Sequence, residues 1–216
     1  MLPENRERKG EIKYNVQLNE EQKEAKKLII ENQIVIITGQ AGSGKSLVCA
    51  QAALDFYNKK QIKDIFITRA AIEVGKTLGH LPGALEEKFD PYLEGFKDNL
   101  YKCSDKKKID EMVADGKIKA LPVQFIRGKT VEDLLIIEEA QNLTPHEMQA
   151  LLTRLGKTGK IVINGDNAQS DINIPYTGLS YAIDLSKAIS EIKWVKLKEN
   201  HRSDLVGKIL EYEKRK

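Results

Sequence analysis

The feature that most constrains this chain is a glycine-rich loop that stands between an apolar run and a helical pattern. Residues 34–37 are all β-branched and apolar, and residues 47–57 carry the pattern of a helix. Between them lies the segment GQAGSGKS at 39–46, which matches G-x-x-x-x-G-K-[ST] at every required position. Glycines let successive backbone N–H groups point at phosphate oxygens, and a helix N-terminus adds partial positive charge. The sequence therefore predicts a buried parallel strand, a phosphate-binding loop and a helix.

The loop also supplies two side chains with defined chemistry. In this motif Lys45 reaches the β- and γ-phosphates of a nucleotide, and the Ser46 hydroxyl holds Mg²⁺. We therefore expect a nucleotide and Mg²⁺ in this site.

Length and composition limit the classes of protein that remain. The chain has 216 residues, with 35 basic and 32 acidic residues interspersed and a net charge of +3. That charge does not by itself indicate nucleic-acid binding. The two cysteines have no metal-ligand spacing, and neither a membrane-spanning apolar run nor a signal-peptide pattern is visible. We predict a polar extension at 1–16, one domain at 17–216, no membrane association and a cytoplasmic location.

A second landmark is a pair of carboxylates after the apolar run 134–137. A buried parallel strand there would deliver Glu138 and Glu139 to the edge of the sheet. Such a pair can divide its roles: Glu138 would lie outside the direct ligands of Mg²⁺ or bind it through water, and Glu139 would orient and polarise the attacking water. The alternative is an ordinary strand end with solvated carboxylates.

Further patterns predict the rest of an α/β chain. Asn19 begins a helix in which Gln22 is either a capping-box partner or an amide that recognises adenine. Gln169 follows a buried strand and would sense the γ-phosphate or position water, unless it belongs to a simple polar turn. Additional strands are predicted at 64–68, 123–126, 160–164 and 194–197, helices at 144–155 and 204–214, and a solvated lysine-rich turn at 104–108.

The ordered motifs resemble the PhoH family, P-loop ATPases related to the RecA-like core of superfamily-one helicases. The resemblance covers roughly residues 17–214. The matching blocks are GQAGSGKS, TRAAIEVGKTLGHLPG at 68–83, EEKFDPYL at 86–93, IRGKTVEDLLIIEEAQN at 126–142, LTRLGKTGKIVINGD at 152–166, and the Q-x-D of Gln169 and Asp171. The resemblance implies a P-loop NTPase fold, a RecA-like three-layer α/β/α sandwich with a mostly parallel sheet. It also implies that Gln22 contacts adenine, that Glu138 and Glu139 are the Walker B acids, and that Gln169 senses the γ-phosphate.

The chain departs from the family pattern at the first acid. The family usually has Asp-Glu, and a proline after the Thr-Arg of the second strand, whereas this chain has Glu138-Glu139 and Ala70. The longer acid moves its carboxylate by about one methylene, which affects the rate of turnover more than binding.

The resemblance also implies a homo-oligomeric ring, expected to be a hexamer, in which an arginine of one subunit completes the site of its neighbour. The candidates for that role are Arg127, Arg154 and Arg202, and Arg127 and Arg154 could instead be structural salt-bridge partners.

These inferences give one set of expected site residues and one expected function. The expected catalytic residues are Lys45, Glu139, Gln169, Arg202, Arg154 and Arg127. The expected nucleotide-binding residues are Gln22, Gly39, Gln40, Ala41, Gly42, Ser43, Gly44, Lys45, Ser46 and Leu47, and the expected metal ligands are Ser46 and Glu138. We expect Mg²⁺-dependent ATP hydrolysis coupled to RNA or single-stranded DNA. The alternatives are a nucleotide-gated switch with little turnover and a small-molecule kinase.

Overall fold

A six-stranded, all-parallel sheet forms the centre of the fold in the order β3-β2-β4-β5-β1-β6. The structure is a computed structural model that describes residues 14–70, residues 90–200 and Tyr212. The strands are β1 (Ile34–Gly39), β2 (Ile65–Arg69), β3 (Ile118–Ala120), β4 (Leu134–Glu138), β5 (Lys160–Gly165) and β6 (Ile192–Leu197).

Helices cover both faces of this sheet. They are α1 (Glu20–Glu31), α2 (Lys45–Asn58), α3 (Asp90–Cys103), α4 (Lys106–Ala114), α5 (Val123–Ile126), α6 (Pro145–Leu152) and α7 (Gly178–Ala188). One apolar core joins α1 to α4 to the sheet, and the other joins α5, α6 and α7 to its opposite face. This three-layer arrangement confirms the predicted α/β sandwich. In the described part of the chain, no helix combines the length and hydrophobicity needed to cross a membrane.

The apolar runs are buried because a parallel sheet has helices on both faces. Along β4, Ile136 lies in the core beside α2, while Leu135 and Ile137 lie in the core beside α6 and α7. Successive side chains of a strand point to opposite faces, so a continuous apolar run serves both cores. The predicted strands at 34–37, 134–137 and 160–164 are confirmed for this reason.

One strand prediction is wrong. Residues 123–126 form the single-turn helix α5 rather than a strand, and the neighbouring edge strand is β3. Val123 and Ile126 are buried while Gln124 and Phe125 are exposed, which is helical spacing. The amides of Phe125 and Ile126 both donate to the carbonyl of Pro122, so the chain turns before it could pair with another strand.

Two other predictions concern the ends of helices. The exposed lysines at 106–108 begin α4, with Asp105 as its N-cap, so this segment is solvated as expected but helical. The helix predicted at 144–155 is α6, and Thr144 and Glu147 form a capping box at its start. The predicted last helix at 204–214, together with Arg202, lies outside the residues that the structure describes, apart from Tyr212.

Because all strands are parallel, their carboxyl ends meet at one edge of the sheet. The phosphate loop follows β1, Glu139 follows β4, and Gln169 follows β5. In α/β sheets this edge is where ligands bind. The topology therefore brings the main sequence-predicted residues to one place.

Candidate nucleotide site

A cleft of about 640 Å³ lies at the carboxyl edge of the sheet. That volume is within the range of small-molecule sites. Its lining combines the phosphate loop with the chain before α1, with α3 and with the ends of β4 and β5; the residues are Val16, Gln17, Asn19, Gln22, Ala41, Gly42, Gly44, Lys45, Ser46, Leu47, Asn99, Lys102, Glu139 and Gln169.

The backbone of the phosphate loop requires its glycines. Gly44 is the N-cap residue of α2 and has φ 85°, a left-handed conformation that side chains other than hydrogen disfavour. A Cβ there would also collide with the side-chain amide of Gln22. Inside the loop, Lys45 donates from Nζ to the carbonyls of Gly39 at 2.8 Å and Gln40 at 3.2 Å. The loop thus curls around the lysine at the start of α2.

Gln22 connects α1 to the phosphate loop. Its Oε1 accepts from the backbone N–H of Asn19 at 3.0 Å, and the Asn19 side chain accepts from the backbone N–H of Gln22. These two hydrogen bonds confirm the capping box. Its Nε2 donates to the carbonyl of Ser43 at 3.0 Å. Adenine recognition by Gln22 stays a prediction, although the residue lines the cleft.

The first acid is held by two donors. Ser46 Oγ donates to Glu138 Oε2 at 2.8 Å, and Asn164 Nδ2 donates to Glu138 Oε1 at 2.6 Å. Burial raises the pKa of Glu138 above its ordinary value, while these two hydrogen bonds and the charge of Lys45 oppose the rise. Glu138 and Ser46, the two expected metal ligands, are therefore in direct contact.

The second acid occupies a strained turn. Glu139 has φ 50° and lies in the left-handed region, just before a 3₁₀ turn at Ala140–Asn142. Its Oε2 accepts from Gln141 Nε2 at 2.6 Å. Residues in sparsely populated backbone regions cluster at functional sites, where the surrounding structure holds them.

Gln141 is also the link to the loop after β5. Its Oε1 accepts from the amide of Asp166 at 3.0 Å, and its Nε2 lies 3.3 Å from the carbonyl of Gln169. One residue further, Asn142 exchanges two hydrogen bonds with Asp171. The turn after the acid pair thus fixes the whole loop that carries Gln169.

Lys45 is the cation of the phosphate loop, and three carboxylates lie near it. Burial lowers the pKa of Lys45 below its ordinary value, and the nearby carboxylates of Glu139, Asp166 and Glu138 oppose that shift. Because three carboxylates stand near one ammonium group, a divalent cation bound with the phosphates would offset the excess negative charge.

The side chains at Ser46 and Glu138 fit Mg²⁺. Both offer oxygen, the donor that this hard cation prefers. No group of three or more His, Cys, Asp or Glu side chains suited to a metal occurs in the part of the chain that the structure describes. Mg²⁺ does not need such a cage, because it keeps several waters and binds through one or two carboxylates and substrate phosphates.

Two of the three candidate arginines lie near the amino ends of the strands, at the side of the sheet opposite the cleft. Arg127 precedes β4 and Arg154 precedes β5, and Arg154 Nη1 donates to the carbonyl of Arg127 at 3.0 Å. Strands of five or six residues separate that edge from the phosphate loop by about 15 Å or more. Neither arginine reaches the cleft of its own chain, so a role in a neighbouring site stays a prediction. Arg202 lies outside the described residues.

Several residues of this site were missed from the sequence. Asn99 and Lys102 of α3 line the cleft, although nothing in their local pattern indicates a ligand. Gln141 and Asn164 are both almost fully buried polar side chains. The sequence carried only part of the signal for these two residues: each stands within four residues of a predicted strand end, and a buried amide there needs hydrogen-bond partners.

Solved structures share the fold at low sequence identity. The large terminase of a thermophilic bacteriophage has a TM-score of 0.54 and 13% identity, covering 91% of this chain and 50% of that one. The SWI2/SNF2 ATPase core of Sulfolobus solfataricus, solved with double-stranded DNA, has a TM-score of 0.50 and 14% identity, covering 86% and 45%. These likenesses concern the fold alone.

Sequence relatives identify the family. A PhoH-like protein of Mycobacterium leprae is 37% identical over 190 residues, covering 84% of this chain and 54% of that protein. A PhoH-like protein of Bacillus subtilis is 38% identical over 184 residues, covering 83% and 58%. The chain therefore spans somewhat more than half the length of these relatives. The family model described as PhoH-like protein matches residues 16–213. This chain, with its phosphate loop and acid pair at one edge of a parallel sheet, belongs to the PhoH family.

Proposed function

We propose that the chain binds ATP in the cleft and hydrolyses it to ADP and phosphate with Mg²⁺. The observation that carries this proposal is the contact between the phosphate loop and the first acid, Ser46 Oγ to Glu138 Oε2 at 2.8 Å, with Glu139 one residue beyond. In P-loop NTPases a serine and a Walker B acid hold the metal that bridges the phosphates. The two motifs are 92 residues apart in sequence, so their meeting is a property of the fold.

Each side chain then has a defined task. The loop amides and Lys45 bind the phosphates, and Ser46 and Glu138 would hold Mg²⁺, which neutralises charge on the phosphate oxygens when bound. Glu139 orients the attacking water and takes its proton, while Gln169 senses the γ-phosphate. Hydrolysis is favoured over transfer to a small molecule because the acid next to the cleft suits water as acceptor.

The direct test is phosphate release by the wild type, Lys45→Ala and Glu139→Gln. Lys45→Ala should lose ATP affinity and turnover, whereas Glu139→Gln should bind ATP and lose turnover by about 10² or more. Both variants leave the buried core unchanged, and melting temperatures check this. If the wild type binds ATP and releases no phosphate under any condition, hydrolysis is refuted and a nucleotide-gated switch is the better description.

We further propose coupling to RNA or single-stranded DNA. This rests on the family resemblance. Turnover should rise when either polymer is added at fixed low salt, and the stimulation should weaken as salt increases because phosphate contacts release counterions. Absence of stimulation by both polymers would refute the coupling and leave the hydrolysis proposal intact.

A ring in which Arg154 or Arg127 acts on the neighbouring site is the remaining proposal. This proposal is supported by the location of the two arginines near the amino ends of the strands. Because they do not reach the cleft of their own chain, a nucleotide that they contact would have to be bound by another subunit. Arg154→Ala has an intact phosphate loop, and Lys45→Ala has an intact arginine. Mixing the two inactive variants should therefore restore part of the turnover, which neither variant shows alone. Failure to recover activity on mixing would contradict a role of Arg154 in a neighbouring site.

A further inference from the structure

Asn164 holds the unusual first acid from a neighbouring strand. β4 and β5 pair in parallel with Ile137 opposite Ile163, so the next residues, Glu138 and Asn164, are neighbours across the two strands. Ile136 and Val162, two residues earlier on each strand, both lie in the core beside α2. Strand alternation therefore directs Glu138 and Asn164 to that same face, toward Ser46 at the start of α2.

The two ends of the carboxylate have separate partners. Oε1 accepts from Asn164 Nδ2 at 2.6 Å, and Oε2 accepts from Ser46 Oγ at 2.8 Å. Asn164 is 1% exposed, and its Nδ2 lies 3.7 Å from the Cys49 sulfur of α2, so packing limits the reorientation of the amide. Asn164 thus fixes the carboxylate at one oxygen and leaves the other facing the phosphate loop.

This arrangement matters because a glutamate has one more rotatable bond than an aspartate. An unrestrained Glu138 side chain could place its carboxylate in several positions, and ordering it costs free energy. Mg²⁺ tolerates little error in ligand position, since it demands nearly ideal octahedral geometry. The Ser46 hydroxyl has one proton and two lone pairs, so donating to Glu138 leaves its lone pairs available to a cation.

Resting on the proposed function, we infer that Asn164 is a positioning residue for Mg²⁺: it holds Glu138 Oε1 so that Oε2 and Ser46 Oγ meet the cation of the bound nucleotide. Asn164 itself does not ligate the metal. Hydrogen bonds of this kind, made to a metal ligand from outside the coordination sphere, typically cost about 10- to 100-fold in metal affinity when they are lost.

Asn164→Thr is the informative variant. Threonine suits a β-strand and fills much of the same volume, but its hydroxyl is about one bond shorter than the amide and falls outside hydrogen-bond distance of Glu138. We measure binding of a fluorescent ATP analogue while titrating Mg²⁺ or Ca²⁺. In Asn164→Thr, the Mg²⁺ concentration that gives half of the maximal increase in ATP-analogue binding should rise about tenfold. The Ca²⁺ concentration needed for the same increase should rise less, because Ca²⁺ accepts longer ligand distances and a more flexible geometry.

Glu138→Asp provides the second background. The shorter acid withdraws from Asn164, so adding Asn164→Thr should change the Mg²⁺ response by less than about twofold. Asn58→Thr is the control: this asparagine donates to the carbonyl of Leu54 near the other end of α2, and its loss should leave the response unchanged. Asn164→Ala, which removes the amide group altogether, should raise the required Mg²⁺ concentration as threonine does.

The outcomes separate this inference from the proposed function. An equal loss for Mg²⁺ and Ca²⁺, or an equal loss in both Glu138 backgrounds, would mean a merely structural role and overturn the inference. An unchanged Mg²⁺ response in Asn164→Thr would also overturn the inference. In that case, Mg²⁺-dependent nucleotide binding by the wild type would still support the proposed nucleotide site. If the wild type shows no Mg²⁺-dependent nucleotide binding, both proposals fail.

Discussion

Replacing Gln141 with methionine should separate catalytic positioning from nucleotide binding. Gln141 is 1% exposed and bonds both the second acid and the loop after β5. Its amide donates to Glu139 Oε2 and accepts from the Asp166 backbone. Methionine has a similar length and volume, so packing is largely kept while the side-chain hydrogen bonds to Glu139, Asp166 and the Gln169 carbonyl are lost.

The expected cost follows from those contacts. The Asp166 N–H loses its acceptor, which costs about 1 to 2 kcal/mol because this residue is only partly buried. Losing the hydrogen bond to the Glu139 carboxylate adds about 1 to 2 kcal/mol, less than for a fully buried charge because this acid is partly exposed to water. The sum of about 2 to 4 kcal/mol corresponds to a fall of roughly 5 to 15 °C in melting temperature for a chain of this size.

Turnover should fall further than stability alone explains. Without Gln141 the Glu139 carboxylate is free to rotate, and a misplacement of about 1 Å in a catalytic group can cost about 10²-fold in rate. ATP affinity should change less than about threefold because Lys45 and the loop backbone do not contact Gln141.

Single-turnover phosphate release and equilibrium ATP binding, measured well below the melting temperature, test this expectation. Gln149→Met on the exposed face of α6 is the matched control and should leave both unchanged. If the rate in Gln141→Met stays within about threefold of wild type while the melting temperature falls, Gln141 supports the fold and does not position Glu139.

Two further predictions address the fold. Gly159→Ala should lower the free energy of unfolding by about 3 kcal/mol, because its Cβ would collide with the carbonyl oxygen of Val131; Gly128→Ala, whose Cβ meets nothing within 4 Å, should have little effect in the same urea titration. Tyr14→Phe should lose about 2 kcal/mol at neutral pH, since its hydroxyl donates to Asp55 and to the carbonyl of Gln51. Burial, followed by the bond to Asp55, raises the pKa of Tyr14 above its ordinary value of 10.0. The folded pKa thus exceeds the unfolded one, so the contribution is complete below pH 10 and declines above it, and the two proteins should become closer in stability as pH rises past 10. A constant difference across that range would contradict the assignment.

The sequence was sufficient where a single segment carries the physical signal. The apolar run before Gly39 needs helices on both sides, and the loop that follows matches one backbone geometry, so strand, loop and helix could be predicted together. The capping boxes at Asn19 and Thr144 are similarly local, because their partners stand three residues away.

The sequence was insufficient where position depends on pairing. β3 has only three residues, Ile118–Ala120, and is a strand because β2 lies beside it. Residues 123–126 contain as much apolar character, yet Pro122 starts a turn and they have no strand to pair with. Short apolar runs do not distinguish strand from helix without that context.

Contacts between distant segments explain the missed site residues. Asn164 meets Glu138 across 26 residues, and Gln141 meets Asp166 across 25, so neither contact follows from periodicity. Asn99 and Lys102 reach the cleft only because α3 packs beside α2. The positions of the acids were predictable from one strand, but their partners required the order of the sheet.

The same sheet order constrains how copies of this chain could assemble. The phosphate loop and acid pair lie at the carboxyl edge, whereas Arg127 and Arg154 lie at the amino edge of the same strands. A copy that presents its arginines to the cleft of the next must therefore use different surfaces on its two sides. Such heterologous contacts repeat from copy to copy, and they form a closed ring if the rotation closes and a filament if it does not. If the rotation closes, as the proposed ring requires, mass measurements with and without ATP should show one discrete species larger than a dimer. A stable two-fold dimer that retains full turnover would refute this arrangement. In such a dimer both copies use the same surface, whereas the arginines and the cleft lie at opposite ends of the strands.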